Sequence, residues 1–214
     1  MISKRDPDIL RAYLEDSSNL KGGHADRVVI PENIGELSQF LKKANAAKEP
    51  VTISGGGTGT TGSRIPFGGV VVSLEKLNKI LSISRQQMSA VVETGVIVDE
   101  LKRAADKEDM FYTSHPTESA ASVGGTVATN ASGSRSFKYG STRNYIKRLK
   151  MALASGEIVD LSRGQIIVSR DDPGIRLSSG SEIGLPLPAY RMPDVKNASG
   201  YFMKDGMDLI DLFI

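Results

Sequence analysis

Apolar positions recur at helical spacing in only a few stretches of this chain, and the sharpest follows Asn33. Ile34, Leu37, Phe40, Leu41 and Ala44 fall on one face of a predicted helix that runs to about Lys48, with Asn33 as its N-cap. A second helix is predicted over 99–107, capped by Asp99. A shorter amphipathic helix is predicted over 6–20, where Asp6 is the N-cap and Pro7 takes the first helical position, which needs no N–H. Between these stretches the period shortens to runs of β-branched residues. Strands are predicted at 27–30, 51–53, 70–74, 80–84 and 90–94, and a hairpin at 146–154 and 157–161 turns on Ser155-Gly156. From 162 to 200 the texture changes: Pro173, Pro186, Pro188 and Pro193, interleaved with glycine and serine, argue for irregular and extended chain. A helical pattern returns over 205–214, Met203 and Met207 near it read as packing residues, and the sequence ends on apolar Leu212-Phe213-Ile214. That ending, with no glycine cap after it, reads as a truncated domain.

Composition narrows the function classes. The 214 residues are 39% hydrophobic and 24% charged, with a formal net charge of +2, which gives no electrostatic footprint for nucleic acid. With no cysteine there is no disulfide, thiolate metal site or cysteine nucleophile. The only histidines, His24 and His115, are too far apart to suggest a metal site, so no metal is expected. No Ser/His/Asp set or carboxylate pair assembles with any specificity, so no catalytic residue is named. The N-terminus lacks an apolar signal core and no stretch approaches a membrane span, so a cytoplasmic protein is expected.

The 22 glycines exceed the ~7% average usage, and the excess gathers in two segments. These are SGGGTGTTGS at 54–63 and SVGGTVATNASG at 122–133, the second opening a short helix at 123–130. Glycine lets backbone approach a ligand closely, and successive inward N–H groups make an anion-binding concavity. Either segment alone reads equally as a surface turn; the two together suggest a large phosphate-bearing cofactor held at both ends. Gly57 to Gly62 satisfies G-x-G-x-x-G after a predicted strand, but Arg64-Ile65-Pro66-Phe67-Gly68-Gly69 follows, so no helix opens and the Rossmann reading fails. No G-K-[ST] occurs there, which removes a Walker A loop. His115 lines a pocket or is an ordinary hydrogen-bonded loop histidine. Arg135, Lys138 and Arg143 around Tyr139 meet a phosphate or carboxylate, or form a solvated basic face.

Six segments carry a family resemblance. They are V-I-P-E-N at 29–33, SGGGTGTTG from 54, V-V-V-S-L-E-K-L-N-K-I at 70–80, V-E-T-G-V at 92–96, the long run 116–143 and A-S-G-E-I-V-D-L at 154–161. Together they resemble the FAD-linked oxidase family of the vanillyl-alcohol oxidase or PCMH type, in the branch of the glycolate oxidase flavin subunit and D-lactate dehydrogenase. K-N-A-S-G-Y at 196–201 and the run 206–214 look like the segment before that family's G-S-E-G-T-L-G motif. The resemblance implies an α+β PCMH-type FAD-binding domain built of two α/β subdomains over 26–214, truncated at its C-terminal end and preceded by a helical extension over 1–25.

Extended FAD would lie between the subdomains. Gly55, Gly56, Gly57, Thr58, Gly59 and Thr60 would hold its diphosphate, with Gly62 and Ser63 in the same loop. Pro116, Thr117, Ser122, Gly124, Gly125 and Thr129 would line its ribityl and isoalloxazine side. Covalent members often carry a histidine in the first loop; Gly57, Thr58 and Gly59 stand there, so noncovalent FAD is implied. The implied activity is that of a 2-hydroxy-acid dehydrogenase, passing hydride from the substrate α-carbon to flavin N5. The substrate would sit mainly on a separate domain, leaving this part inactive alone and prone to self-association. An electron-acceptor subunit and peripheral membrane attachment of the parent are the further partners, nucleic acid is not one, and the alternative is a FAD module of a non-oxidative or multi-subunit electron-transfer member.

Overall fold

The computed structural model describes residues 1–114, 116–168, 174–176, 180–184, 190–193, 195 and 201–214. It begins with strand β1 (Ile2–Lys4) and a single turn of helix, α1 (Pro7–Arg11), and continues through β2 (Arg27–Ile30), α2 (Ile34–Ala46), β3 (Val51–Ser54) and β4 (Val70–Ser73). The four strands form one sheet in the order β1-β2-β4-β3. β4 lies between β2 and β3 and is parallel to both, with Val71 opposite Val28 and Thr52. A parallel strand covered on both faces needs an unbroken apolar run, and Val70, Val71 and Val72 are all fully buried.

The two faces are covered from different sources. Leu37, Phe40, Leu41 and Ala44 of α2 pack against Val29, Val70 and Val72. Leu10 of α1 packs on the other face with Val28, Ile30 and Val71. The helical spacing after Asn33 and the strand alternation therefore describe one interface. Asn33 accepts the Glu36 N–H at 2.9 Å as expected of an N-cap.

The N-terminal helix is shorter than the 6–20 expected. Asp6 caps it from Asp8 N and Ile9 N, but it ends at Arg11. Asp16 then accepts the Ser18 N–H at 2.9 Å and Asn19 takes φ +60°, so local side-chain bonds compete with the helical ladder. Where a helical extension was expected over 1–25, β1 pairs antiparallel with β2 and α1 packs on the sheet.

β5 (Ile80–Ser84) and β6 (Ser89–Val92) make a separate hairpin, followed by α3 (Val98–Asp106) and α4 (Val123–Ala128). α3 starts a residue or two before the expected cap, so Asp99 lies in its first turn, where it pairs with Arg103. After α5 (Ser136–Tyr139) and a 3₁₀ turn (Thr142–Tyr145) come β7 (Arg148–Ala152) and β8 (Ile158–Ser162), the expected hairpin. Gly156 takes φ +82° in its turn. A Cβ there would stand 2.5 Å from the Ser38 carbonyl of α2, while the Ser38 hydroxyl donates to the Gly156 carbonyl.

The last part holds β9 (Ile167–Val168), β10 (Gly174–Arg176) paired with β11 (Glu182–Gly184), β12 (Met207–Asp208) and a 3₁₀ turn (Leu209–Phe213). The helix expected at 205–214 is thus a strand paired with β9 and a tight turn. Gly206 at φ +71° and Asp208, which accepts the Ile210 N–H at 3.1 Å, set that alternative. Met203 and Met207 are buried with Val159, Leu161, Val168 and Leu209, as packing residues should be. Pro173, Pro186, Pro188 and the stretch 196–200 lie outside the described residues.

Asp211 ties this region together. It accepts from Arg163 at 2.9 Å and 3.1 Å and lies 3.5 Å from Arg143, whose guanidinium also stacks over Phe202 at 4.3 Å. No helix among the described residues is long and apolar enough to cross a membrane.

Two substitutions test this packing. Phe40→Ala should cost about 3 kcal/mol by opening a cavity under the sheet, read from urea unfolding. Asp211→Asn should cost about 2 kcal/mol by removing the carboxylate charge from Arg143 and Arg163, which then keep only neutral acceptors; an unchanged midpoint would show that Asp211 ties nothing.

Candidate cofactor-binding site

The first glycine loop leaves β3 at its carboxyl end, where Ser54 and Ser73 of the neighbouring parallel strands stand in register. That edge is where open parallel sheets take ligands. Gly57 and Gly62 both adopt φ +75°, which an L side chain would resist. The N–H groups of residues 57–61 bond to none of the described residues. A run of unpartnered amides in a turn is the arrangement that receives an anion.

The second segment is fastened beside the first. Ser122 is the N-cap of α4, and its buried hydroxyl accepts the N–H of Gly125 and the N–H of Gly56, both at 3.3 Å. One oxygen thus joins the two loops. α4 also hangs from the end of β6, because Val123 N donates to Val96 O at 2.7 Å and Gly124 N to Thr94 O at 2.8 Å.

The glycines then separate by role. A Cβ on Gly124 would fall 1.6 Å from Thr94 Oγ1, one on Gly55 2.6 Å from Ser122 Oγ, and one on Gly56 2.9 Å from the Ala120 carbonyl. These three are glycine because the Thr94 and Ser122 hydroxyls and the Ala120 carbonyl pack against them. Gly57, Thr58, Gly59 and Thr60 carry the free amides. Gly62 faces Leu20 and Ser18 of the N-terminal segment. Ser63 is exposed. Thr129 closes α4 by donating to the Gly125 carbonyl at 2.9 Å, and Gly125 itself is exposed.

Pro116 is buried and Thr117 exposed, while His115 lies outside the described residues. The approach to them is held by Ser114 and Thr142, two buried hydroxyls 3.0 Å apart. Thr142 passes its proton to the Ala131 carbonyl at 2.8 Å, which makes it the acceptor from Ser114. This pair was not singled out from sequence, because two hydroxyl residues 28 positions apart carry no local signal. Arg64 and Asp16, beneath the first loop, escaped notice for the same reason.

Of the basic cluster, Arg143 is turned toward Asp211 and Phe202 and is not presented to the loops. Arg135 lies over the Phe111 ring at 4.8 Å and Lys138 over Tyr139 at 5.0 Å. Burial lowers the affinity of the Arg143 guanidinium for its proton, and the neighbouring Asp211 opposes that loss.

A family model described as an FAD binding domain matches residues 25–162. The chain belongs to this family. Among its relatives, D-lactate dehydrogenase of Anaerostipes hadrus is 40% identical over 151 residues, covering 69% of this chain and 31% of the relative. Glycolate oxidase subunit GlcD of Bacillus subtilis is 35% identical over 149 residues, covering 69% of this chain and 32% of the relative. The chain spans about a third of the length of these relatives. Among solved structures, 6-hydroxy-D-nicotine oxidase from Arthrobacter nicotinovorans superposes with a TM-score of 0.68 at 18% identity, over 80% of this chain and 36% of that one. That likeness shows the fold, the PCMH-type arrangement expected from the motifs. The loops of this FAD-binding domain fit the cofactor: the amides at 57–61, which have no partner among the described residues, suit a diphosphate.

Ser122→Ala removes the oxygen shared by both loops. It should lower stability by about 1 kcal/mol, as for loss of an N-cap, and weaken FAD binding several-fold in a fluorescence titration. A stability loss with unchanged FAD affinity would show that the junction does not shape the site.

Proposed function

We propose that this domain is the cofactor-holding part of a flavin-dependent dehydrogenase acting on a small 2-hydroxy acid of the glycolate or D-lactate type. The observation that carries the reading is the run of unpartnered amides at the end of β3, braced by Ser122 against α4, in a domain of the FAD-binding family. The relatives named D-lactate dehydrogenase and glycolate oxidase support the substrate class.

The amides at 57–61 bind the diphosphate, and Ser122 keeps both loops in register while they do so. FAD, when bound, supplies the redox chemistry by taking up a hydride equivalent from the substrate α-carbon. Gly57-Thr58-Gly59 offers no imidazole for a covalent link, so the cofactor is held noncovalently. The substrate is held, and its hydroxyl proton removed, mainly by residues of a further domain of the parent protein, which also meets the electron acceptor. The assembly works in the cytoplasm.

The test is an FAD titration of the purified chain, followed by acid precipitation. Saturable quenching at one flavin per chain, with free flavin recovered in the supernatant, is expected. A folded chain that does not quench FAD would sink the cofactor assignment, and flavin retained in the pellet would sink the noncovalent one. In the parent protein, glycolate or D-lactate should bleach the oxidised-flavin band; indifference to both would remove the substrate class.

A further inference from the structure

The underside of the first glycine loop carries a feature that an amide cradle alone does not require. Arg64 folds back beneath the loop, donating from Nη1 to the Gly55 carbonyl at 3.4 Å and from Nη2 to the Ala12 carbonyl. Its guanidinium lies so close to Gly57 that a Cβ there would stand 2.0 Å from Nη1 and 2.7 Å from Cζ. The φ of +75° at Gly57 favours glycine, and the guanidinium lies in the space beside it. The Arg64 Nε is buried with no hydrogen-bond partner. A half-buried, incompletely paired guanidinium beside a row of amides without partners among the described residues is a positive charge at a candidate anion site.

The N-terminal segment holds that charge in place. The Tyr13 ring lies 6.0 Å from the guanidinium carbon, and its hydroxyl donates to Glu75 at 3.0 Å. Glu75 in turn accepts from Ser73, at the end of β4, at 2.9 Å. Asp16, with one carboxylate oxygen buried and unpartnered, stands 3.7 Å from where a Cβ on Gly59 would lie. Desolvation opposes the ionisation of Asp16, but the Ser18 bonds, the Gly62 amide and the Arg64 charge outweigh it and hold the carboxyl below its ordinary range. It is thus the counter-charge that keeps Arg64 from being wholly uncompensated. Tyr13 and Asp16 lie outside the stretch 25–162 that matches the family.

We propose that Arg64, held from below by the segment 12–20, is a positioning and specificity residue that makes the loop select a diphosphate over a neutral ligand. The proposal rests on the reading of residues 57–61 as the FAD diphosphate site. Its fork shapes the loop through Gly55 and Ala12, and its charge sets the preference for an anion.

ADP and adenosine separate the two contributions, because they share the adenine and ribose and differ only in the diphosphate. Each is measured as a competitor of FAD on the whole chain. Arg64→Met should weaken ADP about tenfold, the size expected for loss of one charged partner, and change adenosine by less than about twofold. Arg64→Lys keeps the cation and loses the fork, so it should lower the melting temperature yet retain most of the preference for ADP. It also serves if Arg64→Met does not fold. Equal weakening of ADP and adenosine would overturn the proposal, leaving Arg64 a purely structural brace, and so would no change in either. If the unaltered chain binds FAD but holds ADP no better than adenosine, the diphosphate reading of the loop itself fails.

Discussion

A serine hydroxyl that accepts two amide protons sits where the two halves of the site meet. Ser122 caps α4 through Gly125 and, with the same oxygen, receives Gly56 from a loop 66 positions earlier. Everything nearby accommodates this. Gly55 and Gly56 must be bare because Ser122 and Ala120 occupy the space that side chains would need, and Gly124 must be bare because Thr94 stands against it. Beside these contacts, the amides of residues 57–61 have no partner among the described residues. Tight packing of hydroxyls and a carbonyl against bare glycines thus borders the candidate anion site.

Several elements were legible in the sequence because local physics dominates them. The spacing after Asn33 identifies α2 and its buried face, and the valine run at 70–72 marks a strand covered on both sides. The Ser155-Gly156 turn follows from the positive φ that Gly156 adopts. The 6–20 and 205–214 segments misled because their helical spacing was real but short. In the first, Asp16 and Ser18 satisfy the backbone locally; in the second, β9 offers Met207 and Asp208 a strand partner. Pairing with a distant strand leaves no trace in a periodicity. The same holds for the site: the glycine segments were visible, but nothing in their composition says which glycines face a ligand and which face each other.

Charge was the least legible layer. Arg143 sits in a motif that invites a phosphate, yet Asp211, 68 positions away, claims it together with Arg163. Arg64 follows the glycine loop without a recognisable context and turns out to lie under it. A guanidinium reaches whichever carbonyls and carboxylates the fold brings within its span, so its role is decided by tertiary placement.

The attachment of α4 to the β5–β6 hairpin bears on how firmly that helix is held. That hairpin is a two-stranded sheet with Leu81 and Val91 turned to solvent, a small unit with little burial to stabilise it. Thr94 and Val96, just past its second strand, carry the carbonyls from which α4 is suspended. The first turn of α4 thus draws its anchoring from this minor element, while the valine-rich sheet holds together independently of it. Local stability of the hairpin, rather than of the main sheet, therefore sets how firmly Val123 and Gly124 are held, and amide exchange at those two positions reads it.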